Sequence, residues 1–188
     1  WSMGLFVWYF GTRGTRNKWA DVGHHTILNG PRYRGLVKDI FIKGKLSEDM
    51  SLYVHRPSVT DPSCAPEGDD TFYALSPVPH LGFDDPVDWA KMGEAYRQKV
   101  QQVLEDQLLP DLDAHLSASE VLTPADFESR YLSPNGSGFS IEPRRRRRVS
   151  ISLGQARILG RVCLGSFHRL KCWQNWCQMR SPSHLAMR

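Results

Sequence analysis

Charge divides the chain at Arg144. The 188 residues include 24 Lys and Arg and 20 Asp and Glu, and every acidic residue lies within residues 1–143. That stretch has 13 of the basic residues and a formal net charge of −7, whereas residues 144–188 have the other 11 and a net charge of +11. The pI of about 9.0 therefore describes no single surface, since charge bears on partners only where the charges share one folded body. We expect two regions, with the fold in residues 1–143.

Composition excludes several classes of protein. With 188 residues, of which 40% are hydrophobic, the chain is long enough for one domain with a core. No apolar run reaches the length of about 18 residues that a membrane-spanning helix needs. Four Cys without a signal-like N-terminus do not indicate a disulfide scaffold. The chain begins with Trp1 rather than Met, so we expect it to be a piece of a longer protein.

The opening sequence, WSMGLFVWYF, favours a β-strand because its residues are bulky and apolar. Alternate side chains of a strand point to opposite faces. One face would carry Met3, Leu5, Val7 and Tyr9, and the other Phe6, Trp8 and Phe10. Both faces are apolar, which predicts a central strand covered on both sides. Either both sides are core, or one of them lines a ligand cavity.

The following residues alternate between strand and helix signals. Further strands are expected at HHTILNG, at residues 52–55 and at residues 71–76, with an ordered loop over residues 57–70. One helix is indicated by Tyr33, Leu36, Val37, Ile40 and Phe41, which share a helical face, with Pro31 at its start and Gly44 at its end. Mixed strands and helices without strict alternation predict an α+β fold, or one sheet-and-helix domain of a larger α/β enzyme.

Two more helices are predicted further along. The longest begins near Asp88 and ends before Pro110. Its apolar stripe consists of Trp89, Met92, Tyr96, Val100, Val103, Leu104 and Leu108. Thr123-Pro124-Ala125-Asp126 resembles a capping box, and the short helix that it begins would bury Phe127 and Tyr131.

Motifs for known chemistry are mostly absent from the sequence. No phosphate-binding glycine loop, nucleophile elbow, H-E-x-x-H or C-x-x-C occurs, and Gly136-Ser137-Gly138 is interpreted as a turn. His24 and His25 have no carboxylate or thiol at a spacing that would complete a metal site, so we expect no metal. The paired acids Asp69-Asp70 and Asp84-Asp85 are expected to be solvated turn residues.

The basic segment, residues 144–188, leaves several interpretations open. The run Arg144–Arg148 could bind nucleic acid through its phosphates, but the acidic body would repel the same ligand, so we expect no nucleic-acid partner. His168, Cys172, Cys177 and His184 lack the paired spacing of a zinc site. A segment rich in Arg, Ser, Cys and Trp without acidic residues is also typical of a shifted reading frame. We therefore expect either a disordered basic tail or a frameshift product.

Four stretches carry a resemblance to a known family. They are SMGLFVWYFGTRGT, HHTILNGPRYRGLVKDIF, SLYVHRPSVTDPSCAPEGDDTFYALSPVPHL and YLSPNGSGFSIEP. In this order and spacing they resemble the bacterial-type phytoene desaturases, in the carotenoid branch of the FAD-dependent amine-oxidase-like superfamily. The resemblance covers residues 1–143 and implies the substrate-binding domain, with the Rossmann part that binds FAD lying upstream and absent here.

The resemblance also implies a function. Members of the family dehydrogenate C–C single bonds of a C40 isoprenoid, and the flavin accepts the hydride. The implied substrate is phytoene; the alternatives are diapophytoene, neurosporene, hydroxyneurosporene or a retinoid. Such lipid-soluble substrates lead us to expect a cytoplasmic enzyme bound peripherally to a membrane surface. The expected substrate-binding residues are Phe6, Trp8, Phe10 and His24.

The sequence departs from the family pattern in two places. RRRRRVSISLGQ replaces the segment that closes around the flavin in the family, and Asn135 stands where a His is common. No flavin contact is carried over to this chain, no catalytic residue is identified, and the chain alone is expected to be inactive.

Overall fold

The computed structural model describes residues 1–139, so the predictions for residues 144–188 lie outside the described residues. Five antiparallel strands form one sheet in the order β2-β3-β4-β1-β5. The strands are β1 (Gly4–Thr12), β2 (His25–Leu28), β3 (Leu52–His55), β4 (Asp70–Val78) and β5 (Leu116–Leu122). The α-helices are α1 (Tyr33–Lys38), α2 (Trp89–Gln107), α3 (Leu112–His115) and α4 (Pro124–Tyr131). This mixture of an antiparallel sheet with helices agrees with the expected α+β class.

β1 is the central strand, as its two apolar faces predict. It pairs with β4 on one side and with β5 on the other, and eight of its nine residues are buried. On one face Phe6, Trp8 and Phe10 enter the main core, which also contains apolar side chains of α2. On the other face Leu5 and Val7 form a smaller cluster with residues of β5 and α4. The interpretation with core on both sides is therefore the one that the structure supports for most of this strand.

α2 begins where the sequence predicts, because the Asp88 carboxylate accepts a hydrogen bond from the Lys91 backbone N–H. The buried stripe differs in detail from the predicted one. Met92 is 43% exposed, whereas Gly93 and Gln101 take positions on the buried face. A Cβ added at Gly93 would lie 3.7 Å from Thr123 Cγ2, an ordinary van der Waals distance, so the packing here does not require glycine. Hydrophobicity alone does not predict a glycine and a glutamine on the buried face.

The helix predicted to start at Pro31 begins two residues later, as α1, and continues without a break as a π-helix over Asp39–Lys43. It ends at Gly44, which has a left-handed conformation with φ of 63°. Only part of the apolar face is buried: Leu36 and Ile40 are 3% exposed, while Tyr33 and Phe41 are 56% and 47% exposed. The helix therefore presents two adjacent apolar stripes, one to the core and one to solvent.

β5 is a strand that the sequence analysis missed, as it also missed the short helix α3 before it. Its sequence, LSASEVL, has small polar residues and few of the β-branched or aromatic residues that favour strands. It forms because β1 offers an unpaired edge that β5 covers, and Trp8 Nε1 donates a hydrogen bond to Ser119 Oγ at 2.8 Å. The capping box that follows is confirmed, since the Thr123 and Asp126 side chains each accept from the other's backbone N–H.

The structure corrects the interpretation of Asp70 as a solvated turn residue. Asp70 is 2% exposed and forms a buried ion pair with Arg56, with Arg56 Nη2 at 2.8 Å from Asp70 Oδ2. Thr15 and Ser58 hydroxyls donate to the same carboxylate at 2.9 and 2.6 Å. Arg56 also donates to the backbone carbonyls of residues 16, 19 and 22. This network ties the loop after β1 to the loop over residues 57–70.

Candidate functional site: an aromatic and imidazole face of the sheet

One face of the sheet carries a row of rings across four strands. Antiparallel pairing sets Tyr9 beside Tyr73, Tyr73 beside His55, and His55 beside His25. The ring centroids of these neighbours are 5.7, 4.7 and 5.1 Å apart, within the range of attractive aromatic contacts. A parallel second row consists of Leu75, Tyr53 and Ile27. We call these seven residues the open face.

The open face is the side of the sheet opposite the main core. Because strand side chains alternate, Phe72 and Ala74 of β4 and Val54 of β3 point into the core, and their neighbours along each strand point the other way. α4 covers one end of this side, where Phe127 packs with Leu5 and Val7. The residues farther from α4 are partly exposed, and Ile27 is 66% exposed. Within residues 1–139, the open face is thus an apolar surface that lies partly in contact with solvent.

Three histidines meet at one edge of the open face. His24 Nε2 and His55 Nε2 are 2.6 Å apart, and the His24 and His25 rings stack at 4.2 Å. Thr60 Oγ1 donates to the Pro57 carbonyl, so it accepts from His24 Nδ1 at 2.7 Å. With its proton on Nδ1, neutral His24 accepts from His55 at Nε2. His25 Nδ1 lies 2.6 Å from the Tyr53 hydroxyl.

Burial favours the uncharged imidazole form of His55 and His24. Burial, followed by the nearby His24 and His25, lowers the pKa of His55 from 6.5 to about 4. Burial also lowers the pKa of His24, with a further contribution from His25. These two side chains therefore favour the neutral imidazole, which can accept a proton or a hydrogen bond.

The same three histidines are the group among the described residues that could hold a metal ion. Their ligand nitrogens lie within 4.8 Å of one another. The sequence analysis expected no metal because it considered only His24 and His25; the third imidazole comes from β3, which the strand pairing places beside them. The rings, however, are stacked at interplanar angles of 23–42°. His24 Nε2 and His55 Nε2 are also hydrogen-bonded to each other at 2.6 Å, so binding a metal through both would require that hydrogen bond to break.

The structure separates the expected site residues into two groups. His24 lies at the open face, together with His55 and Tyr53, which the sequence analysis did not single out. Phe6, Trp8 and Phe10 are 0% exposed in the core on the opposite side. Their contact with a substrate stays a prediction, and it would require α2 to move. The missed residues could be found only from the register of β2, β3 and β4, which places residues distant in sequence in one row.

Comparison with known proteins gives the chain its relatives. No protein-family model matches the chain. It is 67% identical over 144 residues to the phytoene desaturase (neurosporene-forming) of Cereibacter sphaeroides. The matched stretch covers 77% of this chain and 28% of the relative. It is 50% identical over 143 residues to the phytoene desaturase (lycopene-forming) of a Paracoccus species, covering 76% and 28%. A 4,4'-diapophytoene desaturase of Staphylococcus aureus is 35% identical over 124 residues, covering 63% and 24%.

These relatives confirm the resemblance found in the sequence. The chain spans about a quarter of the length of the curated relatives that it matches. Identities of 67% and 50% over about three quarters of this chain are far above what an unrelated sequence would give. The chain therefore belongs, as a fragment, to the carotenoid desaturase family.

Proposed function

We propose that this chain is the substrate-binding part of an FAD-dependent desaturase that dehydrogenates phytoene, a C40 isoprenoid, in carotenoid synthesis. The observation that carries the proposal is the 67% identity to a neurosporene-forming phytoene desaturase over most of the chain. The reaction removes hydrogen across C–C single bonds, and no amino-acid side chain stores a hydride, so a flavin has to accept it.

The described residues do not themselves form a flavin site. Dinucleotides bind where a glycine-rich loop leads from a strand into a helix N-terminus, and residues 1–139 have no such loop. In our proposal, the flavin is bound by parts that the longer relatives have beyond the matched stretch, and the chain alone is inactive.

The open face is the surface that we assign to the polyene. A hydrocarbon substrate has no polar group to bind, so its recognition depends on shape and on apolar area removed from water, at about 25 cal/mol per Å². Tyr73, Leu75 and Tyr53 form a flat, partly exposed surface of this kind on a rigid sheet. His24 stays a proposed substrate contact because it borders the same face.

A second substrate class is a shorter polyene, as in the 4,4'-diapophytoene desaturases. The relative of that name is 35% identical, against 50% and 67% for the two phytoene desaturases. The higher identities favour the C40 substrate, and neurosporene, hydroxyneurosporene and retinoids remain the other members of the proposed substrate range.

We further propose a cytoplasmic, peripheral attachment to a membrane, because a substrate that dissolves in lipid has to be taken from it. None of the helices in residues 1–139 has the length and apolar character needed to cross a bilayer. The proposed division is a substrate domain over residues 1–143 and a basic segment over residues 144–188 that takes no part in catalysis.

A segment exchange tests the proposed function. Residues 1–139 replace the corresponding segment of the phytoene desaturase of Cereibacter sphaeroides, and the chimera is expressed in cells that make phytoene. We expect coloured carotenoid to form, and we expect Tyr73→Ser to reduce it at least about tenfold through lost apolar contact. The matched control, Met92→Ser, changes a 43% exposed apolar side chain outside the open face and should leave the product unchanged.

Two results would contradict the proposal. One is a folded chimera that binds FAD but forms no desaturated product from phytoene. The other is the purified 188-residue chain carrying stoichiometric flavin, seen as absorbance in the visible range, which would show that the chain has a flavin site of its own.

A further inference from the structure

The helix formed by α1 and the π-helix after it has an unusual exposed face. Tyr33, Val37, Phe41 and Ile42 are 56%, 36%, 47% and 73% exposed, and they account for four of the ten large exposed apolar side chains within residues 1–139. Helical spacing explains why they share a surface, since residues four apart lie on one side of a helix. Tyr33, Val37 and Phe41 recur at intervals of four residues, and Ile42 follows Phe41 in the π-helix.

The same helix is the basic part of an acidic body. Residues 32–45 contain five Lys and Arg and one acid, a net charge of +4, whereas the rest of residues 1–139 has eight basic and 18 acidic residues. All five basic side chains are exposed. The single acid, Asp39, is held by Lys43 at 2.7 Å and by Arg32 at 3.8 Å, so it does not offset the field of Arg34 and Lys38.

Apolar side chains with a basic rim match the chemistry of an anionic lipid surface. An interfacial helix buries apolar side chains at the boundary of the acyl chains, while long Lys and Arg side chains reach the phosphates. Each Lys or Arg near such a surface contributes about 1 kcal/mol. The exposed apolar side chains and the local net charge of +4 lie on one short helix, and an anionic lipid surface complements both.

We infer that the exposed face of residues 33–43 is the surface by which this domain docks on an anionic lipid bilayer. Tyr33, Phe41 and Ile42 enter the interface, and Arg34 and Lys38 bind lipid phosphates. The inference deepens the proposed membrane attachment, and its test measures lipid binding alone, so that it can fail while the desaturase function stands.

Vesicle flotation with the 188-residue chain tests the apolar contribution. The vesicles contain phosphatidylcholine and phosphatidylglycerol in equal amounts. We expect Phe41→Ser/Ile42→Ser to bind at least about tenfold more weakly than the unchanged chain. The matched control, Val59→Ser/Met92→Ser, removes two apolar side chains of 44% and 43% exposure elsewhere and should bind as the unchanged chain does. Both variants keep every charge, so the basic segment after residue 143 contributes equally to each.

A second variant tests the charge. Arg34→Gln/Lys38→Gln should weaken binding to the anionic vesicles by about tenfold and should make no difference on phosphatidylcholine alone. Unchanged binding of the Phe41→Ser/Ile42→Ser variant would overturn the inference, since the basic segment would then account for all attachment. A large drop in its thermal melting temperature, in this chain or in the chimera described above, would also overturn it, because these side chains would then pack against protein.

Discussion

At the scale of single residues, the histidine cluster links stability to pH. His55 has a folded-state pKa of about 4, below its ordinary value of 6.5, because it is half-buried beside His24 and His25. Between these two pH values the unfolded chain binds a proton at His55 that the folded chain does not bind. The unfolded state is therefore favoured as the pH falls, and this contribution is absent above pH 6.5.

We expect the free energy of unfolding to decrease from pH 6.5 to about 4, and His55→Gln to flatten that decrease. The measurement is urea unfolding at a series of pH values, followed by tryptophan fluorescence. The control, His115→Gln, changes a histidine outside the cluster. It should leave unchanged the contribution of His55 to the pH dependence of the free energy of unfolding. If the free energy of unfolding depends on pH equally with and without His55, the lowered pKa of His55 is contradicted.

Asp70 makes the largest residue-scale prediction. Asp70→Ala would leave Arg56, which is 1% exposed, as a buried charge without its carboxylate. We expect a loss of about 3–5 kcal/mol in the free energy of unfolding by urea. The control is Asp111→Asn, which removes an exposed ion pair to Lys18 and should cost little. A similar loss of unfolding free energy in the two variants would show that the buried ion pair stabilises the fold no more than the exposed one.

At the scale of elements, two separate features favour glycine at position 44, where the helix ends. Its φ of 63° is a conformation that favours glycine, and an added Cβ would lie within the contact distance of the Phe83 ring. Gly68 has a similar φ of 80° but has nothing within 4 Å of the same position. The two glycines therefore distinguish backbone strain from steric overlap.

Gly68→Ala should cost about 1 kcal/mol of unfolding free energy from backbone strain alone. Gly44→Ala should cost about 1–3 kcal/mol more, because the ring of Phe83 has to move. Thermal and urea unfolding of both variants provides the comparison. An equal loss of unfolding free energy in the two variants would show that the Phe83 ring moves aside without cost.

Elements with local signals could be predicted from the sequence. Three helix ends were predicted correctly: the N-cap at Asp88, the capping box at Thr123 and the helix C-terminus at Gly44. Each depends on residues within one turn of the helix end, so a short stretch of sequence is enough to predict it. β5 could not be predicted, since its polar sequence becomes a strand only through the edge that β1 offers. The open face was missed for a related reason: its rows depend on the register between strands that lie far apart in the sequence.

At the scale of the whole molecule, stability should be greatest at β1. This strand is hydrogen-bonded on both sides and buried on both faces, whereas β2 is an edge strand with alternating exposure. We expect the amides of β1 to exchange with deuterium only on global unfolding, and those of β2 to exchange through local opening. Peptide-resolved hydrogen exchange measures this, and faster exchange in β1 than in β2 would contradict the topology.

The position of β1 also bears on how the chain is made. Its partners are remote: Gly4 pairs with Val78, and Val7 pairs with Leu122. A ribosome adding 5–20 residues per second needs about 6–20 s to deliver β5 after β1 has emerged. During that interval the segment LFVWYF has no native neighbour on that side, and it has the apolar, uncharged character of aggregation-prone strands. We therefore expect nascent chains to be prone to aggregation, and slowed translation between residues 12 and 116 to lower the soluble yield.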